Sequence, residues 1–155
     1  MYMSRPIPGV LILADNTGQT ETRFLRYTLD YTDYRDFYPL LGIETFDIQT
    51  RPLGNAEYDI YCDDEGLLKE NPVPTFVTLS GGKITEIIVG SIFLCGHDED
   101  GGIRGLTEHE INCILSHKGA LFYHGRVLPV LVSGGIPDED GTNGPLFAAS
   151  DTDSR

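Results

Sequence analysis

Residues 84–94 read I-T-E-I-I-V-G-S-I-F-L, the densest apolar and β-branched stretch in the chain. A run of this length and composition predicts a strand buried on both faces, at the centre of a sheet. Gly90 inside it predicts a bulge or a closely approaching neighbour. The segments around it read as further strands and turns. Residues 1–8 read as a lead-in. Residues 10–14 are an apolar run, residues 15–18 (D-N-T-G) a turn, and residues 20–27 a second strand centred on Phe24 and Leu25, together a β-hairpin. Residues 43–50 alternate as a strand with one partly wet face. Residues 59–62 make another, closed by D-D-E-G at 63–66, where Gly66 is free to take positive φ. Leu67 and Leu68 follow as a short return, and Pro72 and Pro74 open a loop. Residues 75–79 read as a strand before the S-G-G-K turn, and residues 97–102 as a polar loop. Residues 121–123 and 126–132 read as a closing strand or hairpin.

Two helices are expected. Thr32 or Asp33 caps a short one that puts Tyr34, Phe37, Leu40 and Leu41 on one face, with Pro39 shortening it and Gly42 ending it. T-E-H-E at 107–110 is a capping box, in which the Thr hydroxyl and the Glu carboxylate each satisfy an unpaired backbone N–H. Ile111, Ile114 and Leu115 then share a face, and Gly119 ends the helix. The fold class is α+β: a mostly antiparallel sheet of five to seven strands on two short helices, spanning residues 1–132. Residues 133–155 are rich in Gly, Pro and Asp, with little to bury beyond Leu146 and Phe147, and are expected to be disordered.

Charge narrows the function classes. The chain of 155 residues carries 24 acidic and 11 basic residues, a formal net charge of −13. Removing the tail's five acids and one arginine leaves the folded part at −9, so the acidity is not a property of the tail. Such a chain is a poor grip for phosphate backbones, and no direct nucleic-acid binding is expected. No apolar run approaches the ~20 residues of a membrane span and no basic-then-apolar leader opens the sequence, so the expected compartment is the cytoplasm of a host cell. Cys62, Cys95 and Cys113 are odd in number and form no C-x-x-C pair, which fits reduced thiols acting as small hydrophobes.

Motifs for catalysis or cofactors fail on inspection. There is no phosphate-binding glycine loop, and the Gly101, Gly102 turn sits among Asp98, Glu99 and Asp100, which repel phosphate. The same acids match two positions of a calcium loop, but Ile103 and His109 stand where Gly and Glu are needed. His109, Cys113 and His117 recur every four residues on one helical stripe. The outer two are about 12 Å apart along the axis, so no single ion takes all three. A pair of them would need help from Cys95 or His97. No metal, no cofactor and no catalytic residue is assigned. The acidic clusters remain: Asp59, Asp63, Asp64 and Glu65 in one stretch, Asp98, Glu99 and Asp100 in another. Two acidic turns bracketing one sheet would make a contiguous negative surface that attracts a basic protein surface.

Several pieces of the chain also carry a resemblance. They are L-G-I-E at 41–44 after a short helix, Y-C-D-D-E-G-L-L at 61–68, Asn71-Pro72, the I-V-G-S-I-F strand at 88–93, and the acidic turn before Leu106-Thr107. From about residue 40 to residue 115 the chain resembles a family catalogued as domain of unknown function 3846, found in phages, plasmids and conjugative elements. It departs from that family where Leu41-Gly42 replaces a Gly pair. The resemblance implies an α+β domain of mobile-element origin and brings no catalytic residues. The expectation is therefore a small acidic, non-enzymatic binding protein of a phage or mobile element. Its partner would be the basic surface of a host protein, such as a nucleic-acid-binding defence enzyme, met through Asp59, Asp63, Asp64, Glu65, Asp98, Glu99 and Asp100. The alternative is a protein that binds or sequesters a small ligand such as a signalling nucleotide, and a metal-assisted enzyme ranks below it. Exposed Ile and Phe on an edge strand would equally serve a homodimer.

Overall fold

The computed structural model describes residues 3–134 and 145–147. In chain order the elements are β1 (Arg5–Leu13), β2 (Arg23–Tyr31), α1 (Phe37–Leu41), β3 (Phe46–Leu53), β4 (Ala56–Asp63), β5 (Pro74–Ser80), β6 (Lys83–Val89), β7 (Ile92–His97), β8 (Ile103–Arg104), α2 (Glu108–Leu115), β9 (Lys118–Tyr123), β10 (Arg126–Ser133) and β11 (Pro145–Phe147). Single 3-10 turns, Tyr34–Asp36 and Gly66–Leu68, precede α1 and follow β4. The strands form two sheets. One has six strands in the order β2-β1-β7-β4-β3, with β8 beside β7, and the other five in the order β11-β9-β10-β5-β6. The β10–β5 and β11–β9 pairs are parallel and the others antiparallel. The α+β, mostly antiparallel class is borne out. The strands outnumber the expected five to seven because they are shared between two sheets.

The division falls inside the apolar run. Residues 84–94 do not form one central strand. Gly90 takes φ +84°, a left-handed conformation that favours glycine, and donates its N–H to the Val73 carbonyl at 2.8 Å. The chain turns there, leaving β6 at the edge of the five-stranded sheet and starting β7 at the centre of the six-stranded one. The run is densely apolar because both halves pack on two faces. Ile84 and Ile87 join a separate cluster with Val77, Leu121 and Val130, and Phe93 lies on the α1 face, while Ile88, Ile92 and Leu94 face the space between the sheets. Ile88 of β6 and Ile92 and Leu94 of β7 meet Val10, Ile12, Ile60, Phe76 and Leu131 in one core, capped by Ile111 and Ile114 of α2.

The opposite face of the six-stranded sheet is aromatic. Leu11, Tyr61, Phe93 and Cys95 pack under Phe37 and Leu41 of α1. The rings of Phe37 and Tyr61 stack with centroids 4.0 Å apart. The expected caps hold here. Asp33 caps the 3-10 turn leading into α1 in a capping box with Asp36, and Gly42 ends α1 at φ +67°. Thr107 and Glu110 form the second box at α2.

Several boundaries differ from expectation: β2, β3, β4 and β9 begin or end three or more residues from where the sequence placed them, and two further shifts have a clear cause. The lead-in of residues 1–8 belongs partly to β1, which pairs with β2 from Arg5 onward. Pro6 and Pro8 are tolerated because their imide side faces away from β2; the Pro8 carbonyl on that side accepts from Leu106 N instead. α2 stops at Leu115 rather than running to Gly119, which lies within β9. The His117 carbonyl accepts from Val132 N at 2.9 Å and draws the chain into the sheet. Of the tail, Ser133 ends β10 buried, with its hydroxyl donating to the Pro52 carbonyl, and Pro145–Phe147 pair with β9. Gly134 follows at φ +82°, and residues 135–144 and 148–155 of the expected disordered segment lie outside the described residues.

Candidate functional site

Strand β4 sets the geometry of the first acidic stretch. Side chains alternate along a strand, so Tyr58, Ile60 and Cys62 enter the core between the sheets while Asp59, Tyr61 and Asp63 take the α1 face. Asp59 and Asp63 are therefore not surface acids. Asp59 is 7% exposed. Its Oδ1 accepts from the Thr50 hydroxyl at 2.8 Å, and its Oδ2 lies 3.0 Å from His97 Nδ1. This carboxylate orients the half-exposed imidazole in the way that one half of a general-base pair would. Among the described residues no Ser, Thr or Cys side chain hydrogen-bonds that ring.

Asp63 is the keystone of the turn that follows. Its side chain is 6% exposed; Oδ1 accepts from Glu65 N at 2.9 Å and Oδ2 pairs with Lys69 Nζ at 2.6 Å. The 3-10 turn Gly66–Leu68 closes above it, with Leu68 N bonding Glu65 O and Lys69 N bonding Gly66 O. Gly66 does not take positive φ, contrary to the sequence reading. Its requirement is space, since a Cβ there would sit 2.8 Å from the Val89 Cγ2 of β6. The turn is thus clamped from both sides by the strand end and the neighbouring sheet.

What the clamp presents is unusual for a solvated turn. Leu67 is 67% exposed and Leu68 82%, flanked by the exposed carboxylates of Asp64, Glu65 and Glu70. Beneath the leucines lies a cavity of about 140 Å³ bordered by Asp47, Gln49, Ile87 and Val89. On the other side a second of about 130 Å³ is lined by Asn16, Asp63, Lys69, Gly90 and Ser91. The edges of the two sheets are tied nearby by Arg51 of β3, whose guanidinium forks onto Glu86 of β6 at 2.6 Å through both carboxylate oxygens. That pairing holds the Glu86 carboxyl below its ordinary value.

The second acidic stretch is a different object. Asp98, Glu99 and Asp100 form the turn between β7 and β8, all exposed. Asp98 Oδ1 accepts from the backbone N–H of Asp100 and of Gly102, and Asp98 N bonds Gly102 O at 2.8 Å, so this carboxylate serves its own turn. The two stretches do not merge. Asp59 pairs with Cys95 and Tyr61 with Phe93, which places the 98–100 turn at the Glu57 end of β4 and the 63–65 turn at the other end. At about 3.4 Å per residue they are separated by roughly 20 Å of strand.

The helical stripe also divides. His109 Nε2 lies 3.6 Å from Cys113 Sγ, but His117 lies beyond α2, with Nδ1 2.8 Å from the Cys113 carbonyl. Cys95 and His97, the helpers it would need, lie on the α1 face of the six-stranded sheet, across from α2. Among the described residues no group of three or more His, Cys, Asp or Glu is placed to hold a metal ion. The three cysteines are free. Burial pushes the Cys62 thiol up to about 12 and raises that of Cys95, which leaves both as small hydrophobes. No helix among the described residues is long and apolar enough to cross a membrane.

Sequence reasoning picked the acids and missed the leucines, which it read only as a short return. The available signal was that Leu67 and Leu68 are adjacent, follow three acids and a glycine, and have no partner at strand or helix spacing. A family model described as Domain of unknown function (DUF3846) matches residues 10–118, from β1 to the start of β9, and the chain belongs to this family. The match is longer than the resemblance at residues 40–115 and takes in the N-terminal hairpin. No curated protein and no solved structure matches the chain.

Proposed function

We propose that this family member is a non-enzymatic binding protein of a phage or other mobile element, acting in the host cytoplasm. Its partner is the basic surface of a host protein, of the kind a nucleic-acid-binding defence enzyme offers. The contact is the clamped turn of residues 63–70. The observation that carries this reading is the exposure of Leu67 and Leu68 on a braced turn rimmed by Asp64, Glu65 and Glu70. Apolar side chains held in one geometry are effective anchors because little ordering entropy is lost when they dock. The carboxylates around them steer a cationic partner into encounter and penalise anionic ones. The net charge of −13 adds a long-range field of the same sign. Asp63 acts here as the brace and Asp59 as an internal partner of His97, while the 98–100 turn contributes only to the field.

The two parts of the contact separate kinetically. Asp64→Lys with Glu65→Lys is expected to slow association and flatten its salt dependence, whereas Leu67→Ser with Leu68→Ser speeds dissociation. Surface plasmon resonance against the captured partner checks both; rates unchanged by either double variant would remove the turn from the interface.

A further inference from the structure

A second surface carries a cation and no lining acid, although Glu70 adjoins its Asn71 wall. The 15–18 turn, the loop at 71–73 and the β9–β10 hairpin enclose an open groove of about 550 Å³, within the usual range of small-ligand sites. No carboxylate is among the described residues that line it, although the chain carries 24 acids. The nearest acid in the flanking turn, Asp15, is engaged within that turn, accepting from the backbone and hydroxyl groups of both Thr17 and Thr20. Arg126 lines the groove, is exposed, and its guanidinium makes no hydrogen bond or ion pair among the described residues. Beside it the rings of Tyr123 and His124 meet edge to face at 4.1 Å. Asn16 and Asn71 bring amide groups to the groove, with the Asn16 Nδ2 donating to the Glu70 carbonyl at 3.4 Å, while the Thr17 hydroxyl is engaged by Asp15. The backbone singles out the same place. Among the described residues Asn71 (φ +51°) and His124 (φ +50°) are the non-glycine residues in the left-handed region, and both line this groove.

We infer that this groove binds a small, singly phosphorylated ring compound of the nucleoside monophosphate type. Arg126 takes the phosphate through its planar fork. The ring lies against His124 and Tyr123, and the Asn71 amide and the Asn16 amide oxygen meet the polar edge of the base or the sugar. A lone phosphate uses only the guanidinium, and an uncharged nucleoside only the aromatic wall. The chain's overall negative charge sets the site against polyanions, so the ligand is a small molecule rather than a nucleic-acid strand. This site lies apart from the 63–70 turn and stands or falls independently of it.

The test is an amide NMR titration of the full chain with AMP, adenosine, inorganic phosphate and a short oligothymidylate. The expected result is saturable AMP binding that shifts the Thr17, Asn71, Tyr123, His124 and Arg126 amides, with adenosine and phosphate each weaker by roughly tenfold or more. Arg126→Gln is expected to weaken AMP roughly tenfold, the loss of one charge-assisted contact. His124→Asn keeps a residue suited to the left-handed turn and removes the ring, and is expected to weaken AMP while leaving the melting temperature in place. Absence of shifts at millimolar AMP would overturn the assignment. So would AMP binding indifferent to both variants, or oligothymidylate binding more tightly than AMP.

Discussion

The turns at 63–66 and 98–101 are close in composition, D-D-E-G against D-E-D-G, and both grow from the six-stranded sheet. Their physics differs. In the first, Asp63 is buried to 6% side-chain exposure and paired with Lys69, Gly66 is pressed against Val89, and two leucines are forced outward. In the second, Asp98 bonds only backbone N–H groups of its own loop and Gly101 has nothing within 4 Å of where a Cβ would stand. An acidic turn becomes a presented surface when the fold behind it leaves no freedom. Where the fold behind it is absent, the same residues are a solvated loop closure.

Glycine replacement should separate the turns most strongly. Gly66→Ala overpacks against a buried valine and is expected to lower stability by about 1–3 kcal/mol, read by urea unfolding. Gly101→Ala meets only the backbone penalty of φ +83°, about 1 kcal/mol. A larger loss at Gly101 would reverse the comparison. The carboxylates come next. Asp63→Ala strips the partner from Lys69 and from Glu65 N and is expected to destabilise by about 1–2 kcal/mol, discounted because Lys69 is 44% exposed. Asp98→Ala should stay within about 0.5–1 kcal/mol. Equal values would mean that Asp63 is no brace.

The expectations from sequence succeeded where the signal is local. Asp33 and Thr107 cap, Gly42 terminates, and the 15–18 turn joins a hairpin, because each needs only the chemistry of a few consecutive residues. They failed where two distant segments decide. Residues 84–94 are apolar in both halves whether they form one strand or two, and the choice rests on Gly90 bonding to Val73 across a loop. The acids at 59 and 63 count as charge in sequence, yet strand parity turns both toward the α1 face, where Thr50, His97 and Lys69 meet them. Gly66 is needed for reasons of space, and only the neighbouring sheet reveals that.

Acid titration sharpens the contrast further, with a smaller effect. Glu86 and Glu110 are held below their usual range by hydrogen bonds from Arg51 and Arg104. A carboxylate depressed on folding stabilises above its unfolded value and loses that contribution as pH falls through its folded one. Melting temperature is therefore expected to drop as pH goes below about 4.5. Glu86→Gln should remove about 0.5–1 kcal/mol at neutral pH and shallow the acid limb, and it should loosen the sheet corner near the first turn without touching the second. An acid limb identical in Glu86→Gln and the parent would contradict the role given to that pair.

The smallest effect on folding should come from the residues placed at the contact. Leu67→Ser with Leu68→Ser is expected to change stability by no more than about 0.5 kcal/mol, since both side chains are already in water. That makes this double variant the most direct probe of the account. The measurement is a pull-down from host lysate with parent, Leu67→Ser/Leu68→Ser and Glu99→Lys/Asp100→Lys proteins side by side, at low and moderate salt, with quantitative mass spectrometry. The account predicts one nucleic-acid-binding protein captured by the parent, retained by the 99/100 variant, lost with the leucines and weakened by salt. Equal capture by the leucine variant, or loss with the 99/100 variant alone, would contradict it.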